Sequence, residues 1–475
     1  MKSFDTRLKT FNLVILSFSL FLLIVPISLF FWLLTTNKVL DNSWLISITF
    51  LPIIIVSIFI IVHDVSKRPY SLNLMHMVFV FSFLGLAPFI QYLTESLSFN
   101  NFDLITDVDV LLANILIYIW IIFYLLGYYM KTFIFSKDNF FYKLLNHPVS
   151  CDSLKLSFFV SIITFLYLYK LGIFLKWTRI SYDSIVYSFN TSKALIIAIF
   201  LRGIPTITLG GYILMLKRMK RKRKLGVLVV IILIILNILF NSPLAAPRYW
   251  TATILIGFAI ILLGKKFKTG TFLTFSIIMG LLVVIPLLNI GRYYPLNKVS
   301  TVIKFVSPID GLKSGDFDAY ANIIHTVHYI QANGITWGRQ LLGPLLFFMP
   351  RSVWPNKPIG SGHVIAGALN FPNSNISSPL QAEALINFGV IGIPIFAMIF
   401  GRILKAVDSY YKREGAKKIE LTSDNLKFID IIYPFWMGFV FFMSRGDLMS
   451  SFAYTVGFTL AGLFLIIGVK RNIKL

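Results

Sequence analysis

Long apolar stretches, each close to the length a helix needs to cross lipid, recur from one end of this sequence to the other. A hydrocarbon core of about 30 Å takes roughly 20 mostly apolar residues, and a helix satisfies all its own backbone groups there. Applied to the 475 residues, that rule places spans near 11–35, 43–62, 71–93, 108–130, 154–175, 194–216, 225–242, 248–264, 270–290, 383–404, 427–444 and 451–469. These are twelve, with 248–264 at the lower limit of spanning length. Composition agrees, since 57% hydrophobic and 13% charged residues lie far from soluble domains. The first stretch has no small-x-small cleavage pattern after it and reads as a retained span.

A net charge of +24 raises the question of nucleic acid, but the basic residues are divided among short loops and form no single patch. Their distribution sets topology instead. With the N-terminus in the cytoplasm, inside segments hold 29 Lys and Arg, including the run from Lys217 to Lys224, and outside segments hold 13. Seven of those 13 fall in one long loop, and Lys170 and Arg202 lie within spans. Positive charge stays on the cytoplasmic side, so both termini are expected inside. The sole cysteine, Cys151, excludes an intrachain disulfide. The expected fold is an all-α polytopic membrane protein with nine spans in 1–290, one large extracytoplasmic loop at 291–382 and three spans in 383–475.

That loop is far longer than the usual connection of about 4–6 residues, and long loops carry function. It opens at Gly291-Arg292-Tyr293-Tyr294-Pro295, passes a helical stretch at 316–333 and reaches an apolar piece from Leu341 to Met349. That piece is too short to span and reads as an interfacial or re-entrant helix. Pro350-Arg351-Ser352-Val353-Trp354-Pro355-Asn356-Lys357-Pro358 follows, then Gly360, Gly362 and His363. Three prolines exclude a continuous helix, so Arg351, Trp354 and Lys357 are presented from a stiff turn. A guanidinium and an ammonium six residues apart suit an anionic group, and Trp354 suits a sugar face. The bland alternative is a helix stop whose cations anchor to lipid headgroups.

The stretch from Pro350 to Pro358 resembles the hallmark of bacterial oligosaccharide repeat-unit polymerases, which build O-antigen and capsular polysaccharide. The interval from Arg351 to Gly362 is similar to the Arg-x10-Gly pattern of such enzymes. Glu383-Ala384-Leu385-Ile386-Asn387-Phe388-Gly389-Val390-Ile391-Gly392 resembles their acidic-to-glycine entry into the following span, and Ser444-Arg445-Gly446-Asp447 is a further likeness. The first 240 residues match mainly as a hydropathy profile. An earlier outside segment, 176–193, has only Lys176, Arg179 and Lys193 and lacks that Arg-to-Gly interval.

The resemblance implies transfer of a glycan from one polyprenyl diphosphate to a repeat unit on another, outside the bacterial cytoplasmic membrane. A chain-length regulator protein is an implied partner. Such chemistry asks for cations beside a diphosphate leaving group and a general base for a sugar hydroxyl. Arg202, Arg248, Arg292, Arg351, Lys357 and Arg445 are the expected diphosphate ligands. Arg202 falls about 12 Å deep in its span at 1.5 Å per residue, so a cavity, a substrate or a helix partner must meet it. For the base, His363 is favoured over Glu383, with His325 and His328 behind them. The two histidines on 316–333 lack a third metal ligand at helical spacing, so no metal is expected, and Asp318, Asn322 and His325 read as one solvated helix face.

Three rivals stand beside this reading. A lipid-linked oligosaccharide flippase would show ionisable groups at mid-membrane and repeated halves. A glycosyltransferase with carboxylates in its first outside loop finds only Asp41 in 36–42. An O-antigen ligase would share the basic site and base. No phosphate-cradling Gly-rich loop joins a strand to a helix, so no cofactor is expected and the energy arrives with the substrate.

Overall fold

A computed structural model of the chain describes residues 43–97, 105–130, 139–170, 196–219, 224–241, 246–264, 271–280, 311–416 and 426–466. The expected span at 11–35, the segment 176–193, most of the span expected at 270–290 and Arg292 lie outside them. The described residues are mostly helical and hold no strand, with one isolated bridge between Pro148 and Lys427. The helices are α1 (Trp44–Lys67), α2 (Leu72–Leu93), α3 (Asp107–Tyr129), α4 (Cys151–Lys170), α5 (Ile199–Arg218), α6 (Lys224–Phe240), α7 (Arg248–Leu263) and α8 (Thr271–Met279). They continue as α9 (Ala319–Asn333), α10 (Arg339–Leu345), α11 (Ser361–Ala368), α12 (Leu380–Ala416), α13 (Phe428–Arg445) and α14 (Leu448–Leu465).

Among the described residues, eight helices are long and apolar enough to cross a membrane: α1 to α5 and α12 to α14. Helices α6 and α7 are apolar but shorter, at 17 and 16 residues. Apolar side chains also face outward at helical spacing. Leu51, Ile55, Ile58 and Val62 do so on α1, and Ile391, Ile395, Ile399 and Ile403 on α12. Water penalises such stripes and lipid does not, which is the architecture of a multi-pass membrane protein.

The chain divides into two compact units. The first takes the described residues of Met1–Phe133, Val306–Asp408 and Val440–Phe452; the second takes those of Ile134–Phe305, Ser409–Phe439 and Ala453–Leu475. The described part of the long loop therefore folds with α1 to α3.

In the first unit, α2 widens into a π-helical stretch at Val80–Leu86, ahead of Pro88. Proline lacks an N–H and clashes with the carbonyl four residues back, and a wider turn relieves both. Helices α3 and α12 touch through Gly127 and Gly401; a Cβ on either would strike the other helix's backbone. At the 63–73 end, Asp64 receives Arg68 (3.2 Å), Ser71 (3.0 Å) and Asn73 (2.7 Å). Asp408 caps α2 by accepting from the Leu72 N–H (2.9 Å), and it takes Tyr128 Oη at 2.8 Å. His76 is fully buried, and Trp120 Nε1 donates to its Nε2 (3.2 Å). Its Nδ1 therefore carries the proton and donates to Ser444 Oγ at 2.9 Å.

The second unit repeats the π device at Ile196–Leu201, ahead of Pro205 in α5. Thr206 donates to Asn237 (2.7 Å), Asn241 to both, and Trp250 to Asn241 (2.8 Å), a polar chain joining α5, α6 and α7. Arg218 and Asp430 pair at 3.0 Å with both side chains buried.

Candidate functional site

The site forms where the long loop folds back on itself within the first unit. Helix α9 enters it after a tight turn whose last residue, Asp318, accepts four hydrogen bonds. The donors are Asn322 Nδ2 (2.9 Å), the Ser377 N–H (2.9 Å), Ser377 Oγ (2.7 Å) and Arg445 Nη2 (3.1 Å). His325 continues the chain through Asn322 Oδ1 at 3.0 Å and meets the Phe371 ring edge-on. The expectation of a solvated face for Asp318, Asn322 and His325 is overturned, because all three are buried and bonded to one another or to distant segments. His328, one turn on, pairs with Asp109 at 3.1 Å.

After α9 the chain reaches α10 and then the proline-rich turn. The turn is non-helical from Arg351 to Pro358, as three prolines require. Its two cations are the staples. Arg351 donates to the carbonyls of Lys357 (3.0 Å) and Pro355 (3.4 Å), while Lys357 Nζ donates to those of Phe347 (2.6 Å) and Met349 (3.1 Å). Lys357 is thus turned back onto the end of the apolar piece, and burial, then the neighbouring Arg351, lower its ammonium below the ordinary value. Arg351 stays exposed with donors to spare, and Trp354 is half-buried beside it.

The turn leads straight into α11. Gly362, eleven residues after Arg351, presses on the Ile376 carbonyl so closely that any Cβ would collide with it. Ser361 donates to Glu383 Oε2 at 2.7 Å, and the Leu448 N–H donates to Oε1 at 3.0 Å. Glu383 is 1% exposed and bonded at both oxygens, so it ties α11 to α12 and α14. The adjacent residue, Asp447, caps α14 by accepting from the Ser450 N–H at 2.8 Å, and its carboxylate lies directly against Gly360. Burial pushes Asp447 up from the ordinary carboxylate value, against the pull of the Ser450 donor and the His363 imidazole. His363 itself is exposed. It stands three residues after Gly360, and helical side chains lean toward the N-terminus, so the imidazole lies on the Asp447 side of α11.

Helix α12 breaks nine residues after its start. Gly389 adopts φ 63°, ψ −155°, a conformation that side chains essentially forbid. The break frees carbonyls that a continuous helix would occupy. Ile386 accepts from Thr336 (N–H 2.8 Å, Oγ1 2.9 Å), and Asn387 from the Gly338 N–H at 3.2 Å. The Asn387 side chain adds the Leu341 N–H at 3.1 Å. In this way the acidic-to-glycine segment anchors both ends of the linker between α9 and α10.

Of the expected site residues, the first unit holds Arg351, Trp354, Lys357, His363, Glu383 and Arg445. Arg445 donates twice to the Asp316 carbonyl (3.1 and 2.8 Å) as well as to Asp318, so its guanidinium has internal acceptors. Arg202, 1% exposed at the head of α5's regular part, and Arg248, in the first turn of α7, belong to the second unit. Arg292 is outside the described residues. Sequence reasoning misread Asp318 as solvated and missed the bonding roles of Ser361 and Asn387 and the capping role of Asp447; only the last had a local signal, an Asp three residues before Ser450 at a helix start. Among the described residues no three His, Cys, Asp or Glu side chains gather as metal ligands would. No protein family matches the chain, and no curated protein or solved structure matches it.

Proposed function

We propose that the chain is a glycosyltransferase that joins polyprenyl-diphosphate-linked oligosaccharide repeat units into O-antigen, capsular or other exopolysaccharide. In this reading it crosses the bacterial cytoplasmic membrane twelve times, keeps both termini in the cytoplasm and works on the outer face. The observation that carries the reading is the joining of an exposed guanidinium, Arg351, to an exposed imidazole, His363, by one rigid turn and helix. The turn has the sequence pattern that resembles the polymerases.

The chemistry follows from these groups. His363 takes the proton from an acceptor sugar hydroxyl as that oxygen bonds to the anomeric carbon of the donor glycan. The anomeric bond to the diphosphate breaks, and Arg351 meets the charge that grows on the leaving oxygen. Glu383, bonded at both oxygens and sealed from solvent, serves as the strut that holds α11, and His363 is the base. Trp354 offers its ring to a sugar face.

Deleting the gene and resolving surface glycan on a gel tests the reading. A polymerase leaves single repeat units with no ladder, a flippase deletion removes both, and a ligase deletion leaves lipid-linked polymer unattached. An intact ladder in the deletion strain overturns the proposal.

A further inference from the structure

The segment joining α9 to α11 carries large apolar side chains at the surface although it lies outside every span. Trp337 is 78% exposed, Phe348 64% and Val353 67%, with Leu342 and Leu345 exposed between them. Leu342 and Leu345 lie one turn apart on α10, and Phe348 follows at the same interval. The opposite side of α10, formed by Gln340, Gly343 and Pro344, is buried. Gly343 fits so tightly on Met449 and Pro358 that a Cβ would meet the Met449 methyl. Packing against the start of α14 therefore fixes which face points out, and that face is apolar.

Its charge is one-sided as well. From Ala319 to Ala382 there is no Asp or Glu, while Arg339, Arg351 and Lys357 fall in the middle. Arg339 and Arg351 are exposed. The stripe also continues onto a span: Gly338 packs on Phe388, Ile335 on Gly389, and the next residues, Val390 and Ile391, are outward-facing on α12. An apolar stripe edged by arginine and tryptophan, free of acids and contiguous with a lipid-facing helix, has the chemistry of an interfacial membrane element.

We propose that residues 337–353 dock on the bilayer surface, with Leu342, Leu345, Phe348 and Val353 in the acyl boundary and Arg339 and Arg351 on anionic headgroups. The inference does not depend on the proposed reaction. It places the Arg351 turn at headgroup depth, the level at which any lipid-linked phosphate lies.

The sole cysteine is exposed Cys151, so Cys151→Ser gives a cysteine-free background. Phe348→Cys and Val353→Cys are then labelled with an environment-sensitive fluorophore. Asn373→Cys, in an exposed part of the loop, is the reference. Each protein is reconstituted in phosphatidylcholine vesicles with or without phosphatidylglycerol. Labels at 348 and 353 are expected to be quenched several-fold more by doxyl lipid than by aqueous iodide, with the order reversed at 373. Phosphatidylglycerol should strengthen the lipid quenching, and Arg339→Gln with Arg351→Gln should remove that gain. Iodide reaching 348 as freely as 373 overturns the proposal. So does protection from both quenchers, which means a protein covers the stripe, or lipid quenching indifferent to phosphatidylglycerol.

Discussion

Arg445 and Asp318 stand 127 residues apart in sequence and 3.1 Å apart in the folded protein. The pair closes the end of α13 onto the turn before α9, and the same guanidinium holds the Asp316 carbonyl. A cation so engaged is a structural clasp before it is a ligand for substrate. Asp318→Ala leaves Arg445 and Ser377 without their shared acceptor, at a cost of about 2–3 kcal/mol, below the fully buried range because Arg445 keeps some contact with water. Thermal unfolding in detergent should show the loss, and Asp318→Ala should cost less in the Arg445→Gln background than alone, the remainder being the Asn322 and Ser377 bonds that do not involve Arg445. Full additivity of the two changes would contradict the clasp.

Arg351 is expected to behave differently. It is exposed, so Arg351→Ala should leave the melting temperature nearly unchanged while abolishing the glycan ladder. Arg351→Lys keeps the charge but loses the planar guanidinium, which holds the Lys357 and Pro355 carbonyls through Nη1 and leaves other donors for an anion, so an intermediate, shortened ladder is expected. The readout is the gel pattern at equal protein level. A normal ladder in Arg351→Ala would remove this residue from the reaction.

Gly389 holds the break in α12. Alanine there meets the strain of positive φ, about 1–3 kcal/mol, or straightens the helix and reclaims the Ile386 and Asn387 carbonyls from Thr336 and Gly338. Either route loosens the linker before α10. Gly389→Ala should therefore raise proteolysis between 334 and 341 as well as lower the melting temperature. A variant as protease-resistant as the native protein would show that the break does not hold the linker.

The spans seen here were legible because lipid imposes one rule on every residue of a segment, and eight helices answer to it directly. The break at Gly389 interrupts a span expected to run unbroken over 383–404, whereas the stiffness of the 350–358 turn was also written locally, in three prolines. The site's wiring was not. Asp318 reads as the solvated start of a polar helix until Ser377 and Arg445, 59 and 127 residues away, are brought to it. Lys357 reads as an outward cation, yet the carbonyls that receive it belong to the preceding apolar piece, and no periodicity announces that. The same holds for Glu383, whose partners Ser361 and Leu448 lie on two other helices.

Asp447 supplies a pH test that separates its two roles. Burial raises its carboxyl above the ordinary value of about 4, so between that value and its folded value the folded protein holds a proton that the unfolded chain releases. The contribution to stability is complete at the acid end and is lost as pH rises through the folded value. Asp447→Asn keeps an acceptor for the Ser450 N–H and has no proton to lose, so the melting temperature should fall less steeply as pH rises above about 4 than in the native protein. The reaction reports separately. Asp447 lies against Gly360, at the head of the helix that carries His363, so if it helps place the base, Asp447→Asn should shorten the glycan ladder at equal protein level. A flattened stability slope with a normal ladder would leave Asp447 as a helix cap alone and detach it from the base.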